Sequence, residues 1–252
     1  MALITLLTDY GTSDSYVGEM KGTLARLAPA ATVVDITHHV VPGDVRAARY
    51  LLGRTWGRFP SGTIHLAIVD PGVGTERACL TVATAGHYFL APDNGLLTGI
   101  ADRPDAVVIA LHAAAGAAPT FHGRDLFAPA AAALAEGCSP ADLGTSLGRE
   151  PVVLELPQPH YEGKSVVGEV IYVDRYGNLV TNLTPAEVPS YAVLVVEDSD
   201  VGPLVATFGA VSSGAPLAYL GSGGQVEIAV RDGSAARRFG IGVGGKVRAR
   251  LG

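Results

Sequence analysis

Asp70, followed by Arg77 seven positions later, is the residue whose type and place in the sequence best suit chemistry on a small substrate. Asp70 ends an apolar run, residues 64–69, that is rich in β-branched residues and predicts a buried strand. A Pro-Gly pair then forces a turn, and Arg77 follows the carboxylate by seven positions. An acid at the end of a buried strand is a candidate for acid–base chemistry, and His122, within the segment 121–125, is a separate candidate. An ion pair in a surface turn and a structural histidine are the alternative interpretation of the same residues.

Further polar residues stand where strands or turns are predicted. Asp9 closes the first predicted strand, residues 4–8. Asp93 and Asn94 lie in Pro-Asp-Asn-Gly, which is typical of a turn. Residues 174–178 lie between two predicted strands, where a hairpin turn is the simpler interpretation. Acids at the carboxyl ends of buried strands nevertheless stand where open α/β sheets bind ligands.

The elements that must position these residues change in kind along the chain. Up to about residue 150, strands alternate with helical patterns, which predicts an α/β fold with a largely parallel central sheet. Asp44 is predicted to cap a helix, and an Ala-rich helix is predicted at 126–136. After a Pro-rich connector, short β runs separated by turn residues predict a small antiparallel barrel or sandwich. We therefore predict an N-terminal α/β domain at 1–156, a linker at 157–165 and a C-terminal antiparallel β-barrel domain at 166–252.

The composition narrows the class of protein. Hydrophobic residues make up 48% of the 252 residues and charged residues 17%, as expected of a globular chain with a sizeable core. The net charge is −6 and no Lys or Arg cluster occurs, so a nucleic-acid partner is not expected. Cys79 and Cys138 are too few for a disulfide framework or a structural zinc site. No apolar run approaches the roughly 20 residues of a membrane span. Because the first residues predict a strand and not a signal peptide, we expect a cytoplasmic protein without a membrane partner.

Neither common nucleotide-binding fingerprint is present. The Gly-Val-Gly after Asp70 lacks the third glycine of a dinucleotide loop, and no Gly-Lys-Ser/Thr phosphate loop occurs. Cofactor-dependent hydride or phosphoryl transfer is therefore not favoured. The sequence leaves a metal-dependent phosphohydrolase open as an alternative function, because possible metal ligands follow two strands: Asp9 ends the first, and His38 and His39 follow the second. Such a site needs several oxygen ligands together, and Asp9 has only Tyr10-Gly11 beside it.

Several motifs, taken together and in order, resemble one family along nearly the whole chain. They are Thr-Asp-Tyr-Gly at 8–11, Val-Asp-Pro-Gly-Val-Gly at 69–74 with Arg77, Pro-Asp-Asn-Gly at 92–95, Phe-His-Gly-Arg-Asp at 121–125, Asp-Arg-Tyr-Gly-Asn at 174–178, Thr-Asn at 181–182 and Gln-Val-Glu-Ile-Ala-Val at 225–230. The chain resembles the adenosine-forming S-adenosyl-L-methionine (SAM) hydrolases, or SAM hydroxide adenosyltransferases, which are related to the SAM-dependent fluorinase and chlorinase. The resemblance implies hydrolysis of SAM to adenosine and L-methionine by in-line attack of an activated water on the ribose 5′ carbon. It also implies no metal and no cofactor, and a homotrimer with each SAM site between the N-terminal domain of one subunit and the C-terminal domain of its neighbour.

The resemblance also implies roles for individual residues in the reaction. Asp70, Arg77 and His122 match the acid, arginine and histidine that activate water in the family. A cation beside Asp70 would favour its ionised form. Whether Asp70 or His122 takes the proton stays open at this point.

Other residues are expected to hold the substrate. Asp9 matches the acid that hydrogen-bonds the ribose hydroxyls, and Asp174 and Asn178 match the residues that grip the methionine ammonium and the adenine end. A carboxylate for an ammonium and an amide for a purine edge are suitable partners. Phe208 is the candidate for stacking on adenine. The remaining expected substrate contacts are Tyr10, Asp93, Asn94, Gly123, Ser222 and Glu227.

The related halogenases are the nearest alternative function. These similar proteins carry a tyrosine where this chain has Asp70, and they lack a histidine equivalent to His122. A halide needs desolvation but no base, and an ionised Asp70 would repel it, so these residues favour water. A module that binds SAM or adenosine without turnover is a further alternative, against which the complete Asp-Arg-His set argues. Residues 221–224, Gly-Ser-Gly-Gly, depart from relatives that carry bulkier residues, so the C-terminal contacts are the least defined.

Overall fold

The computed structural model describes residues 2–113 and 115–251. The chain divides into two compact units, Met1–Leu154 and Glu155–Gly252, hereafter the first and the second unit. Each unit contains its own sheet and its own hydrophobic core, so the protein is a mixed α/β chain with two sheets. Within the described residues, no helix has the length and apolar character needed to cross a membrane.

The first unit is built on a mixed seven-stranded sheet. Its strands are β1 (Leu3–Thr8), β2 (Thr32–Thr37), β3 (Ile64–Ile68), β4 (Cys79–Thr84), β5 (His87–Pro92), β6 (Val107–Leu111) and β7 (Gly144–Ser146), in the spatial order β2-β1-β3-β5-β4-β6-β7. Strands β2, β1, β3 and β5 pair in parallel, whereas the pairs from β5 through β4 and β6 to β7 are antiparallel. The prediction of a largely parallel sheet therefore describes only half of it. The reason is the connection of β4 to β5 through Ala85 and Gly86, because a two-residue turn joins only antiparallel strands.

Helices cover the parallel half of this sheet. Strand β3 is buried along its whole length, as its uninterrupted apolar run predicts. Apolar side chains of β1 and β3 share one core cluster with those of helices α1 (Tyr16–Leu27) and α3 (Ala128–Ala135). Helix α2 (Val45–Thr55) begins at the predicted cap, Asp44, whose carboxylate accepts a hydrogen bond from the Ala47 amide over 2.9 Å. A π-helical turn, Gly123–Phe127, leads into α3.

The sheet of the second unit bends almost into a barrel. Its strands are β8 (His160–Glu162), β9 (Ser165–Val173), β10 (Leu179–Thr181), β11 (Val193–Val196), β12 (Ser199–Gly202), β13 (Leu204–Val205), β14 (Pro216–Leu220), β15 (Val226–Val230) and β16 (Lys246–Arg250). The spatial order is β12-β11-β16-β9-β10-β15-β14-β13, with β8 also paired to β9. All these pairs are antiparallel except β13 with β14. The strands at the two ends of this order, β12 and β13, are separated in sequence only by Pro203, so the sheet must curve until its ends are close.

Two short elements of the second unit differ from the sequence prediction. Strand β8 lies inside the predicted linker, 157–165, because Gly163 and Lys164 form a turn that returns the chain onto β9. A short helix, α4 (Ala235–Phe239), interrupts a region predicted to be all β. Five residues are too few to produce a helical period in the sequence.

Candidate active site

Predicted site residues follow three parallel strands at one edge of the first sheet. Asp9 follows β1, Asp70 comes shortly after β3, and Asp93 and Asn94 follow β5. Because β1, β3 and β5 are parallel neighbours, their carboxyl ends meet at the same edge. That edge is where open α/β sheets bind ligands.

A tight loop returns Arg77 onto Asp70. Gly74 has a φ of +81°, and a Cβ at this position would lie 2.9 Å from the carbonyl oxygen of Pro119, so the loop needs glycine here. Arg77 Nε donates to Asp70 Oδ1 over 2.9 Å, and Arg77 Nη2 donates to Asp70 Oδ2. The side chains of Arg77 and Asp70 are only 10% and 5% exposed. This buried bidentate pair is unlike the exposed ion pair of an ordinary surface turn.

Arg77 also binds His122, which fixes the tautomer of that ring. Arg77 Nη2 lies 2.9 Å from His122 Nδ1. A guanidinium can only donate, so Nδ1 accepts and the neutral ring carries its proton on Nε2. Burial and the Arg77 cation lower the pKa of His122 below its ordinary value, which favours the neutral ring at pH 7. One guanidinium therefore orients both a carboxylate and an imidazole.

The segment that carries His122 is held on both sides. The ring of Phe121 packs edge-on against those of Tyr10 and Tyr16, with centroids 5.9 and 5.3 Å away. Arg124 Nη1 donates to Glu19 of α1 over 2.7 Å. These contacts hold the start of the π-helical turn against α1, and with it the position of His122.

Cys79 belongs to this group of side chains, although sequence analysis assigned it no role. Its Sγ accepts a hydrogen bond from Arg77 Nη1 over 2.6 Å and lies 3.8 Å from His122 Nδ1. A signal in the sequence is its position two residues after Arg77, directly before the apolar run at 80–83.

Three predicted substrate contacts of the first unit lie near this group. A Cβ on Gly123 would be 2.7 Å from the Tyr10 hydroxyl oxygen, so the tyrosine occupies the space beside residue 123. Burial, together with the negative charges of Asp9 and Asp70, raises the pKa of Tyr10, so its hydroxyl stays protonated. Asp9 Oδ2 accepts from the Gly43 amide over 2.8 Å, which orients this carboxylate at the end of β1.

Asp93 and Asn94 make hydrogen bonds within the first unit. The Asp93 side chain is 1% exposed, and its two oxygens accept hydrogen bonds from Arg149 and from the Val152 amide. Asn94 Nδ2 donates to the carbonyl of Val69 over 2.9 Å, directly before Asp70. These hydrogen bonds satisfy a buried carboxylate and orient Asn94, and the substrate contacts of Asp93 and Asn94 stay predictions.

In the second unit, Asp174 and Asn178 form one turn. Asp174 Oδ1 accepts from the amides of Tyr176 and Asn178, and Asp174 Oδ2 accepts from Asn178 Nδ2, each over 2.9 Å. Residues 174–178 thus form a hairpin turn between β9 and β10. The same hydrogen bonds orient the side chains of Asp174 and Asn178, which are both predicted to bind the substrate.

Asn178 and Phe208 line a cavity of about 520 Å³ in the second unit, together with Tyr176, Val230, Asp232, Gly233 and Arg237. Phe208 is 37% exposed, and its ring centroid lies 5.0 Å from that of Tyr219. The Tyr219 hydroxyl donates to Glu227, which is 6% exposed. Glu227 therefore orients Tyr219, the neighbour of Phe208, and the substrate contact of Glu227 stays a prediction. Ser222 is exposed in the turn between β14 and β15.

His38, one of the two histidines considered for a metal site, makes contacts with side chains of the first unit. His38 Nδ1 lies 2.9 Å from Thr8 Oγ, and its Nε2 lies 3.1 Å from Asp35 Oδ1. Across residues 2–113 and 115–251, no group of three or more His, Cys, Asp or Glu side chains is arranged to hold a metal ion.

Family models match the two units separately. The SAM hydroxide adenosyltransferase N-terminal domain matches residues 4–144, and the SAM hydroxide adenosyltransferase C-terminal domain matches residues 168–248. The chain therefore belongs to the SAM hydroxide adenosyltransferase family, which confirms the resemblance found in its motifs.

Individual relatives are similar over the whole length. The chain is 41% identical to the (R)-S-adenosyl-L-methionine hydrolase of Thermus thermophilus, covering 98% of this chain and 99% of the relative. The crystal structure of an uncharacterized conserved protein from Thermotoga maritima superposes with a TM-score of 0.89 at 33% identity, covering 99% of this chain and 100% of that one. A fluorinase from an Actinoplanes species is 27% identical over 90% of each chain. The chain is thus more similar to this hydrolase than to this fluorinase.

Proposed function

We propose that this protein hydrolyses SAM to adenosine and L-methionine. Membership of the family and full-length similarity to a protein named (R)-S-adenosyl-L-methionine hydrolase support this reaction. The observation that carries the proposal is the Arg77 guanidinium, which binds both oxygens of Asp70 and Nδ1 of His122. A protein that only bound SAM would have no need of a buried acid and imidazole held together in this way.

The geometry favours Asp70 as the group that takes the proton from water. His122 Nδ1 already accepts from Arg77 and Nε2 already carries the ring proton, so the neutral ring can donate to the water oxygen but has no free site for a proton. The Asp70 oxygens keep lone pairs beyond those used by Arg77. As the C5′–O bond forms, the water proton passes to Asp70, and the C5′–S electron pair leaves with methionine. A sulfonium leaves as a neutral thioether, so no proton donor is needed on the leaving side.

The substrate contacts that we propose come from both units. Asp9 binds the ribose hydroxyls, and Tyr10 and Gly123 shape the space beside the nucleophile. Asp174 and Asn178 bind the methionine ammonium and the adenine end, and Phe208 stacks on adenine. The preorganised turn at 174–178 and the cavity beside Phe208 support these assignments. Ser222 lies in an exposed turn that a substrate can reach, so we also propose it as a substrate contact.

We also propose the assembly that the family resemblance implies. It is a homotrimer of chains with an N-terminal α/β domain and a C-terminal antiparallel β-barrel domain, and each SAM site is completed by a neighbouring subunit. By symmetry a trimer would contain three equivalent sites. The reaction is proposed to need neither a metal nor a cofactor.

The test is incubation of purified protein with SAM in isotopically labelled water, followed by chromatography and mass spectrometry. Adenosine labelled at its 5′ oxygen and free methionine are expected. Asp70→Asn, which keeps the shape of the side chain, should slow turnover by about 100-fold or more while SAM binding changes by only a few fold. Asp198→Asn is the matched control, because Asp198 is an exposed acid of the second unit, and it should behave as wild type. An Asp70→Asn variant with wild-type turnover would remove Asp70 from the reaction.

The same assay separates the other functions. A 5′-halo-adenosine as the main product in chloride or fluoride would indicate a halogenase. Loss of activity in a chelator would indicate the metal-dependent alternative, and SAM recovered unchanged would indicate a binding module.

A further inference from the structure

Cys79 is a buried thiol that the proposed chemistry does not use, although it touches residues that do. It is 7% exposed, accepts from Arg77 Nη1 over 2.6 Å and lies 3.8 Å from His122 Nδ1. Burial raises the pKa of its thiol, so the sulfur carries its proton at pH 7. A neutral thiol is a weak acceptor, so Cys79 can accept from the guanidinium, whereas Nδ1 of His122 already accepts from Arg77.

The hydrogen bond to Cys79 matters because it gives Nη1, the third nitrogen of the Arg77 guanidinium, an acceptor. Nε and Nη2 donate to Asp70, Nη2 also reaches His122, and Nη1 donates to Cys79. The Arg77 side chain is 10% exposed, so an Nη1 without an acceptor would be largely cut off from water. A planar guanidinium held at all three nitrogens has a defined orientation. Without the contact at Nη1, it could pivot on Asp70 and carry Nη2 away from His122.

We propose that Cys79 is a positioning residue that acts through Arg77 to hold His122 in place beside Asp70. This inference rests on the proposed function, since it assigns a role in the same reaction. A buried cysteine without this role would contribute only apolar contacts.

The expected effect of Cys79→Ala is on the chemical step. Loss of a hydrogen bond to a charged group should lower kcat by about 10-fold, while KM changes by less than about twofold because Cys79 contacts protein groups only. Cys79→Ser keeps an acceptor at the same position and should recover most of the rate. The matched control is Cys138→Ala, which removes the other cysteine of the chain, whose sulfur lies near residues 139–142.

The pH profile separates positioning from simple loss of packing. The titratable and charged groups that face His122 are Asp70, Arg77, Cys79 and Asp125. The Arg77 cation lowers the pKa of His122, whereas Asp70 and Asp125 raise it. If Arg77 moves away in Cys79→Ala, the pKa of His122 rises towards its ordinary value. The acid limb, which is the decrease of kcat at low pH as His122 becomes protonated, then moves to higher pH. A variant that merely lost packing would contain less folded protein and leave that limb where it is.

The experiment measures kcat, KM and the acid limb for wild type, Cys79→Ala, Cys79→Ser and Cys138→Ala, and follows the His122 titration by NMR in each. A raised midpoint and slower turnover in Cys79→Ala, recovered in Cys79→Ser and absent in Cys138→Ala, would support the proposal. Wild-type kcat and midpoint in Cys79→Ala, or a Cys79→Ser variant as impaired as Cys79→Ala, would overturn it. If Cys79→Ala does not fold, Cys79→Val removes the acceptor while filling the space. If wild type does not hydrolyse SAM, the proposed function fails, and the NMR titration still decides whether Cys79 positions His122.

Discussion

Replacing Arg77 by lysine separates the charge of this side chain from its geometry. Lysine keeps the positive charge but has one nitrogen, whereas Arg77 uses three nitrogens to reach Asp70, His122 and Cys79. A single ammonium cannot make two parallel bonds to one carboxylate and reach a histidine at the same time. At least two hydrogen bonds are therefore lost while the net charge of the group is unchanged.

The size of the effect follows from these lost bonds. A hydrogen bond to a charged group contributes about 1.5–3 kcal/mol, so two of them contribute about 3–6 kcal/mol. If about half of this is expressed in folding, the free energy of unfolding falls by about 1.5–3 kcal/mol. The other half, expressed in the transition state, lowers kcat by about 10- to 150-fold. Because Arg77 contacts protein groups, SAM affinity should change by less than about threefold.

The steady-state rate of adenosine formation at saturating SAM measures the effect on kcat, and urea unfolding measures the effect on stability. Arg250→Lys is the matched control, since Arg250 is exposed and pairs with Asp200 across strands of the second unit. It should leave both quantities unchanged. An Arg77→Lys variant with kcat within threefold of wild type would show that a positive charge alone suffices, and the argument from the shape of the guanidinium would be wrong.

Three further predictions concern acid stability, packing beside the nucleophile and assembly. Burial lowers the pKa of His65 from 6.5 to about 3, so its contribution to stability is complete above pH 6.5 and is lost as the pH falls towards 3. When the pH falls from 7 to 4, the free energy of unfolding measured in urea should decrease by about 3 kcal/mol more in wild type than in His65→Phe. Equal decreases in the two proteins would contradict this. Gly123→Ala should slow turnover because its Cβ would meet the Tyr10 hydroxyl at 2.7 Å, and adding Tyr10→Phe should recover activity; a double variant no better than the single one would count against that contact. Inactive Asp70→Ala and Asn178→Ala chains should regain some activity when refolded together, and no recovery in demonstrated mixed oligomers would exclude shared sites.

Local patterns in the sequence determined much of the first unit. The β-branched run before Asp70 corresponds to β3, and Asp44 caps α2, because strand burial and helix capping depend on neighbouring residues. The motif order was enough to identify the family, which the matching domain models confirm. The sequence predicts two consecutive strands at 80–83 and 88–91, but the residues between them contain no turn motif that specifies a two-residue hairpin, so the antiparallel half of the sheet was not predicted.

Tertiary structure alone decided which of the polar residues meet. Arg77 lies seven positions after Asp70 and reaches it through the loop 71–76. It reaches His122, 45 positions away, only because the π-helical turn is anchored to α1. The same is true of Cys79, an ordinary apolar position in sequence that is adjacent to the guanidinium in the fold. Asp93 and Glu227 match expected ligands, yet the fold turns their carboxylates towards Arg149 and Tyr219. A sequence motif specifies residue types and spacing, whereas the direction and burial of each polar atom depend on distant segments that supply its hydrogen-bond partner.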